Sequence, residues 1–313
     1  MIGLVATLAA MPFYIRWVSS RGWGQEIRPE GPADHAVKAG TPTMGGAVFV
    51  AAAFLATLIM AKFTLELAVL WLVILGGFGI GLLDDLTGLM KKQNLGLKAR
   101  QKLVLQGVLG LFPAAYTVLV KGVTSVALPG GFELKGSAWV FLVAVLVVVA
   151  TTNAVNLADG MDGLASGAAL PTLAFFALVG ACQANSAVTL TALAFMGGLI
   201  GFLWFNSYPA KIFMGDTGSM ALGGALAGMA LLVNRPVMLV LVGGLFVAEA
   251  LSVILQVAYF KSTGGKRIFK MSPLHHHFAL SGMHEVNVVM RFWLVSLFLA
   301  LAGLYFWGQG SQW

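Results

Sequence analysis

The sequence predicts an all-α polytopic membrane protein of about ten transmembrane helices, on three observations. Of 313 residues, 59% are hydrophobic and only 10% charged, well under half the ~25% charged share of soluble domains. Apolar runs long enough to cross a bilayer, ~20 residues each, recur along the chain. The basic residues between those runs fall mostly on one side. The chain is read as one integral membrane domain, residues 1–313, with a mean hydropathy of +0.89.

In order, the spans are expected at 1–20, 44–62, 66–83, 102–120, 137–153, 163–182, 187–205, 217–233, 236–260 and 287–308. The first has no basic n-region, and its first cation, Arg16, comes late. It is therefore read as a retained helix, not a signal peptide. The ninth run is long for one crossing and is expected to tilt or to extend past the bilayer. Between the fourth and fifth spans, Val123 to Lys135 (VTSVALPGGFELK) holds two short extended runs around Pro129-Gly130-Gly131, a small hairpin by pattern. The lone Cys182 has no internal disulfide partner and is expected to be a packed small residue.

Charge gives the orientation. Thirteen of nineteen Lys and Arg residues, from Arg21 to Lys270, lie in one set of loops, and only Lys62, Lys121, Lys135 and Arg235 lie in the other. The positive-inside rule makes the first set cytoplasmic and puts both termini outside, so the hairpin is periplasmic. The net charge of +7 is thus read as basic loops against an anionic leaflet, not as nucleic-acid binding. Ten of twelve acidic residues and all five histidines fall on that inner side or in its flanking helices. A transporter or flippase would place ionisable groups along the bilayer interior. Only Glu249, within the ninth run, fits that description.

Five inner segments carry the chemistry. KAGTPTMGG (Lys38 to Gly46) offers Lys38 and Thr43 as phosphate donors, or simply a loop ending in a capped helix start. Asp84-Asp85 ends the third span, where the helix dipole disfavours negative charge, so a metal or the nearby Lys91 and Lys92 should compensate. NAVNLADGMDG (Asn153 to Gly163) sets out Asn153, Asn156, Asp159 and Asp162 three residues apart, near one face if helical. FNSYPAKIFMGDTGS (Phe205 to Ser219) presents Asp216 before the eighth span, as a helix cap or as a Mg²⁺ ligand. SPLHHHFALSGMHE (Ser272 to Glu285) holds three adjacent histidines. Neighbours on a regular element diverge, so they are read as phosphate donors with one proton-transfer group, not as a shared metal site. Carboxylates without thiols favour Mg²⁺ or Mn²⁺, and scattered cations suit a diphosphate. The residues point to phosphoryl transfer between a nucleotide-linked donor and a membrane lipid.

TPTMGG, the Asp84-Asp85 pair, NAVNLADGMDGLA, FMGDTGS and PLHHHF occur in one order over nearly the whole chain. In this the chain resembles the phospho-N-acetylmuramoyl-pentapeptide transferases, among the polyprenyl-phosphate hexose-1-phosphate transferases. The resemblance implies transfer of phospho-MurNAc-pentapeptide from UDP-MurNAc-pentapeptide to undecaprenyl phosphate. UMP is released and lipid I formed, the first membrane step of peptidoglycan synthesis, at the bacterial inner membrane. It implies Mg²⁺ dependence, ten transmembrane helices and a homodimer. By matching motifs it implies that Asp216 binds the metal and that Asp84, Asp85 and His275 are catalytic. Lys38, Thr43, Lys92, Asn153, Asn156, Asp159, Asp162, Asn206, His276 and His277 would bind substrate. Direct attack by the lipid phosphate and a covalent aspartyl-phosphate route are both compatible with these residues. The rival within the family is a GlcNAc-1-phosphate transferase, against which PLHHHF argues.

Overall fold

A computed structural model of the chain describes residues 1–24, 38, 40–91, 96–128 and 132–309. Lys92 and the Pro129-Gly130-Gly131 turn lie outside the described residues. The helices are α1 (Ile2–Ser20), α2 (Gly46–Met60), α3 (Leu65–Lys91), α4 (Ala99–Ala115), α5 (Ser137–Ala158), α6 (Leu164–Cys182), α7 (Ser186–Asn206), α8 (Gly215–Leu232), α9 (Met238–Val242), α10 (Gly244–Ser262), α11 (Leu274–Leu280) and α12 (Glu285–Gly308). A π-helical turn, Tyr116–Val120, extends α4. Strands β1 (Ser125–Ala127) and β2 (Glu133–Lys135) pair antiparallel, with Ser125 opposite Lys135, as the hairpin pattern predicted.

Among the described residues, eight helices are long and apolar enough to cross a membrane: α1, α3, α4 with its π-turn, α5, α6, α7, α10 and α12. The shorter α2 is apolar as well. The remaining predicted span is α8, and it explains the architecture. Every residue from Thr217 to Leu232 is buried. Beyond Ser219 its sequence is only Gly, Ala, Met and Leu, so neighbouring backbones come close. Helices α3, α5 and α2 pack around it. Beside it, Phe49, Trp71, Phe195 and Phe202 form an aromatic cluster, with Phe49 and Phe202 ring centroids 5.3 Å apart.

Three boundaries differ from expectation, each for a local reason. The third span does not stop at Asp84; α3 continues through Lys91. The carboxylates thus sit on a helix flank, away from the unfavourable C-terminal dipole. The fifth span continues to Ala158, so Asn153 and Asn156 stand on its last turns. The ninth run breaks at Gly243 into α9 and α10, where two successive glycines give the backbone its greatest freedom to leave the helix. Cys182, expected to be packed, is exposed as the last residue of α6.

The α3–α8 crossing controls the site, because a Cβ at Gly81 would meet Asp216 and Thr217 backbone atoms. Gly79, half a turn away, faces open space. Gly81→Ala is therefore expected to destabilise the detergent-solubilised protein by about 1–3 kcal/mol and to depress turnover. Gly79→Ala should leave both near wild type. Thermal unfolding of the two variants side by side checks the packing.

Candidate active site

The polar segments meet where α3, α5 and α7 end and α4, α8 and α12 begin. The first group is centred on Lys102 of α4. Its ammonium lies 2.6 Å from Asp216 Oδ2 and 3.0 Å from Asp84 Oδ2. Asp84 Oδ1 accepts the Leu97 N–H at 2.7 Å. Asp216 Oδ1 accepts the Asn156 amide at 2.8 Å, and the same amide donates to Ser219 Oγ at 2.9 Å. Asn153 lies one turn earlier and donates to Gln106 Oε1 at 2.6 Å, tying α5 to α4.

Asp85 has a different task. Its Oδ1 accepts the Asp216 N–H at 3.1 Å, and its Oδ2 accepts the Thr217 N–H and hydroxyl at 2.9 and 2.6 Å. A carboxylate from α3 thereby caps the first turn of α8, where N–H groups lack helical acceptors and the dipole favours an anion. Met214, at the cap position of α8, supplies no side-chain hydrogen bond. Asp216 therefore does not cap its own helix, and its carboxylate is turned to the other groups.

A third group joins distant loops. Lys38 Nζ is 2.7 Å from Asp162 Oδ1 and 2.6 Å from Glu285 Oε1. The Asp162 N–H donates to Glu285 Oε1 at 2.9 Å, and Asp162 Oδ2 accepts the Ala210 N–H at 2.9 Å. Thr43, in the same loop as Lys38, is buried. Asn206 is buried and well engaged: it accepts from the Gly163 N–H and Ser166 Oγ and donates one amide N–H to the Ile212 carbonyl. Its geometry is that of a staple between the end of α7 and the start of α6.

The three histidines diverge. His275 is completely buried, with Nδ1 3.1 Å from Glu249 Oε2. The half-buried His276 lies against it with ring centroids 4.2 Å apart and the planes tilted by 56°. His277 accepts the Lys270 N–H at 3.1 Å and meets Phe269 edge-on. Glu249 thus belongs to the surroundings of this site.

Asp159 ends α5 and accepts no hydrogen bond from the described residues. Burial, then the charges of Asp216, Asp85 and Asp162, push its carboxyl up to about 8.

Sequence reasoning missed Lys102, Glu285, Gln106 and the capping role of Asp85. Lys102 was one basic loop residue among thirteen, and its partners lie far away in the chain. A pair of acids beside a lysine at the start of the next span was the available signal. Among the described residues no cluster of three or more His, Cys, Asp or Glu side chains is arranged to hold a metal. Asp84 and Asp216 nevertheless direct carboxylate oxygens at one shared cation, the Lys102 ammonium. Two hard oxygen donors aimed at one cation position suit a divalent ion such as Mg²⁺, which takes one or two carboxylates and completes its shell with other oxygens.

The chain matches known proteins over most of its length. Residues 67–234 match the Glycosyl transferase family 4 model, and residues 38–50 match the Phospho-N-acetylmuramoyl-pentapeptide-transferase signature 1. The chain is 45% identical over 315 residues to the phospho-N-acetylmuramoyl-pentapeptide-transferase of Bacillus mycoides (strain KBAB4), covering 97% of this chain and 95% of that one. The enzymes of the same name from Bacillus cytotoxicus and Bacillus thuringiensis (strain Al Hakam) are 44% and 45% identical at the same coverage. The chain belongs to the phospho-N-acetylmuramoyl-pentapeptide transferases. For a transferase of this family, the matched segments are the informative part of the chain. Residues 67–234 run from α3 through α8 and hold Asp84, Lys102 and Asp216, while 38–50 holds the Lys38 loop and the start of α2. The family and the apolar helices make this a multi-pass protein of the bacterial inner membrane.

The raised carboxyl of Asp159 gives a signed expectation. Below about pH 4 it is protonated in both folded and unfolded chains. Between about 4 and about 8 the unfolded chain loses a proton that the fold keeps, so stability falls as pH rises; above that the penalty is constant. Asp159→Asn lacks this penalty. Its melting temperature relative to wild type, without nucleotide or divalent ion, should climb across that window and then level off.

Proposed function

We propose that the protein transfers phospho-MurNAc-pentapeptide from UDP-MurNAc-pentapeptide to undecaprenyl phosphate, giving lipid I and UMP in a Mg²⁺-dependent reaction. The observation that carries the mechanism is the Asp84–Lys102–Asp216 arrangement at the ends of apolar helices. Both a water-soluble diphosphate and a prenyl headgroup reach such a place. The site faces the cytoplasm, where the basic loops lie, and the enzyme works as a homodimer.

In the transfer, an oxygen of the lipid phosphate forms a bond to the β-phosphorus, which bears the sugar. The bond from that phosphorus to the oxygen bridging the two phosphates breaks, and its electron pair leaves on UMP. Asp216, with Asp84, would hold Mg²⁺, which when bound offsets negative charge on the diphosphate. Lys102, which lies between the two carboxylates in this structure, would yield that place to the ion and set its own charge against the diphosphate. Asp84 orients the lipid phosphate through the cation it shares with Asp216. Asp85 is assigned to positioning, since both its oxygens hold the first turn of α8. That occupation supports direct displacement over an aspartyl-phosphate on Asp85. Lys38, held by Asp162 and Glu285, faces the donor, with Asn153, Asn156, Asp159 and His276 around it.

In detergent, the purified protein should convert radiolabelled UDP-MurNAc-pentapeptide and undecaprenyl phosphate to a butanol-soluble product with release of UMP. UDP-GlcNAc should not replace the donor, and product from UDP-GlcNAc alone would assign the enzyme to the GlcNAc branch. EDTA should stop the reaction and added Mg²⁺ restore it. Asp216→Asn and Lys102→Met should each lower kcat by roughly 10²-fold or more, the scale for losing one preorganised charge partner. An active Asp216→Asn enzyme would remove the metal assignment.

A further inference from the structure

Glu249 is a charged-type side chain in the middle of an apolar helix, and the transfer mechanism does not use it. Its side chain is completely buried, and its Oε2 meets His275 Nδ1 at 3.1 Å. Glu249 Oε1 and His275 Nε2 are both buried and make no other protein hydrogen bond among the described residues. A carboxyl and an imidazole in such surroundings are tolerated mainly through each other.

Two further contacts give the pair a direction. On the far side of the ring lies Gly160: a Cβ there would run into His275 Nε2 and would come within 2.9 Å of Cε1. The ring is thus wedged between α10 and the Asp159–Gly163 turn. Seven residues along α10, on the same face as Glu249, the buried Gln256 accepts the Ile268 and Phe269 N–H groups at 3.0 Å each. Helix α10 therefore grips the segment leading to α11 at one point and α11 itself at another. The other face of His275 carries His276.

We propose that Glu249 is a positioning residue for the transfer: by fixing His275 it holds the Asp159–Gly163 turn in register with the donor site. This rests on the transferase reading above. His275 acts in the same way, through contact with the turn, because its complete burial keeps it from the reacting atoms. The turn bears Asp162, which anchors Lys38, so displacement of the wedge should be felt by the nucleotide-linked donor and little by the lipid.

The test compares Glu249→Gln, which keeps an acceptor, with Glu249→Leu, which removes it, in the full-length protein in detergent. Glu249→Leu should raise the donor KM about tenfold or more, with the lipid KM within about twofold. Glu249→Gln should recover most of that loss. Amide hydrogen exchange should quicken in residues 158–164 and 274–280 of Glu249→Leu and stay unchanged in α8. In a His275→Ala background, Glu249→Leu should add less than about twofold, because the two act as a unit. Wild-type donor KM and wild-type exchange in Glu249→Leu would overturn the proposal. So would faster exchange through every helix with equal losses for both substrates, the mark of a general structural role. If the wild-type protein made no lipid-linked product, the transferase reading would fail, and the exchange comparison would still decide whether Glu249 fixes the turn.

Discussion

Like charges crowded against an apolar helix bundle repel strongly, and the polar end of the bundle depends on how that repulsion is relieved. Asp84, Asp85, Asp159 and Asp216 converge here, and each carboxylate is accommodated differently. Asp84 and Asp216 share the Lys102 ammonium. Asp85 is neutralised by the unpaired N–H groups and dipole of the α8 N-terminus. Asp159, with no such partner among the described residues, keeps its proton to higher pH. Removing one cation or one cap exposes the remaining acids to each other, so these residues form one electrostatic unit whose parts do not act additively.

This unit requires close backbones. Asp85 reaches the first turn of α8 only because Gly81, one turn earlier on α3, lets the two helices touch. The small residues of α8 extend that closeness along its length. A helix with larger side chains would be better solvated by lipid and farther from α3, and the cap would not form. The small-residue composition that buries α8 is therefore what lets it present Asp216 beside Asp84, Lys102 and Asn156.

The parts legible in the sequence were those encoded locally. Apolar runs marked the crossings, the hairpin pattern marked β1 and β2, and the clustering of Asp and Asn marked most of the converging residues. What escaped was encoded in pairings across the chain. Lys102 reads as one more basic loop residue until its ammonium meets Asp216 at the start of α8, and Glu285 as an ordinary first-turn acid until Lys38 folds onto it. Asp216 before an apolar run was compatible with a cap, and only the arrival of Asp85 from another helix frees it. The Asp84-Asp85 pair was placed at a helix end because hydropathy falls there. Hydrogen bonding carried the helix on to Lys91, since a helix can leave the apolar layer without ending.

Glu249 shows why an ionisable residue in a span is weak support for a translocation path. A path needs polar groups in series, so that a solute passes from one to the next. Glu249 leads instead to a single completely buried histidine and, behind it, to the backbone of the Asp159–Gly163 turn. Its chain of contacts runs toward the inner end of the bundle and stops there. The carboxylates and Lys102 gather at that same end. Chemistry concentrated at one surface of an apolar bundle suits a reaction in which the lipid stays in its leaflet and only the headgroup meets the soluble donor. Such a reaction requires no polar route across the membrane, and the polar residues of this fold are placed accordingly.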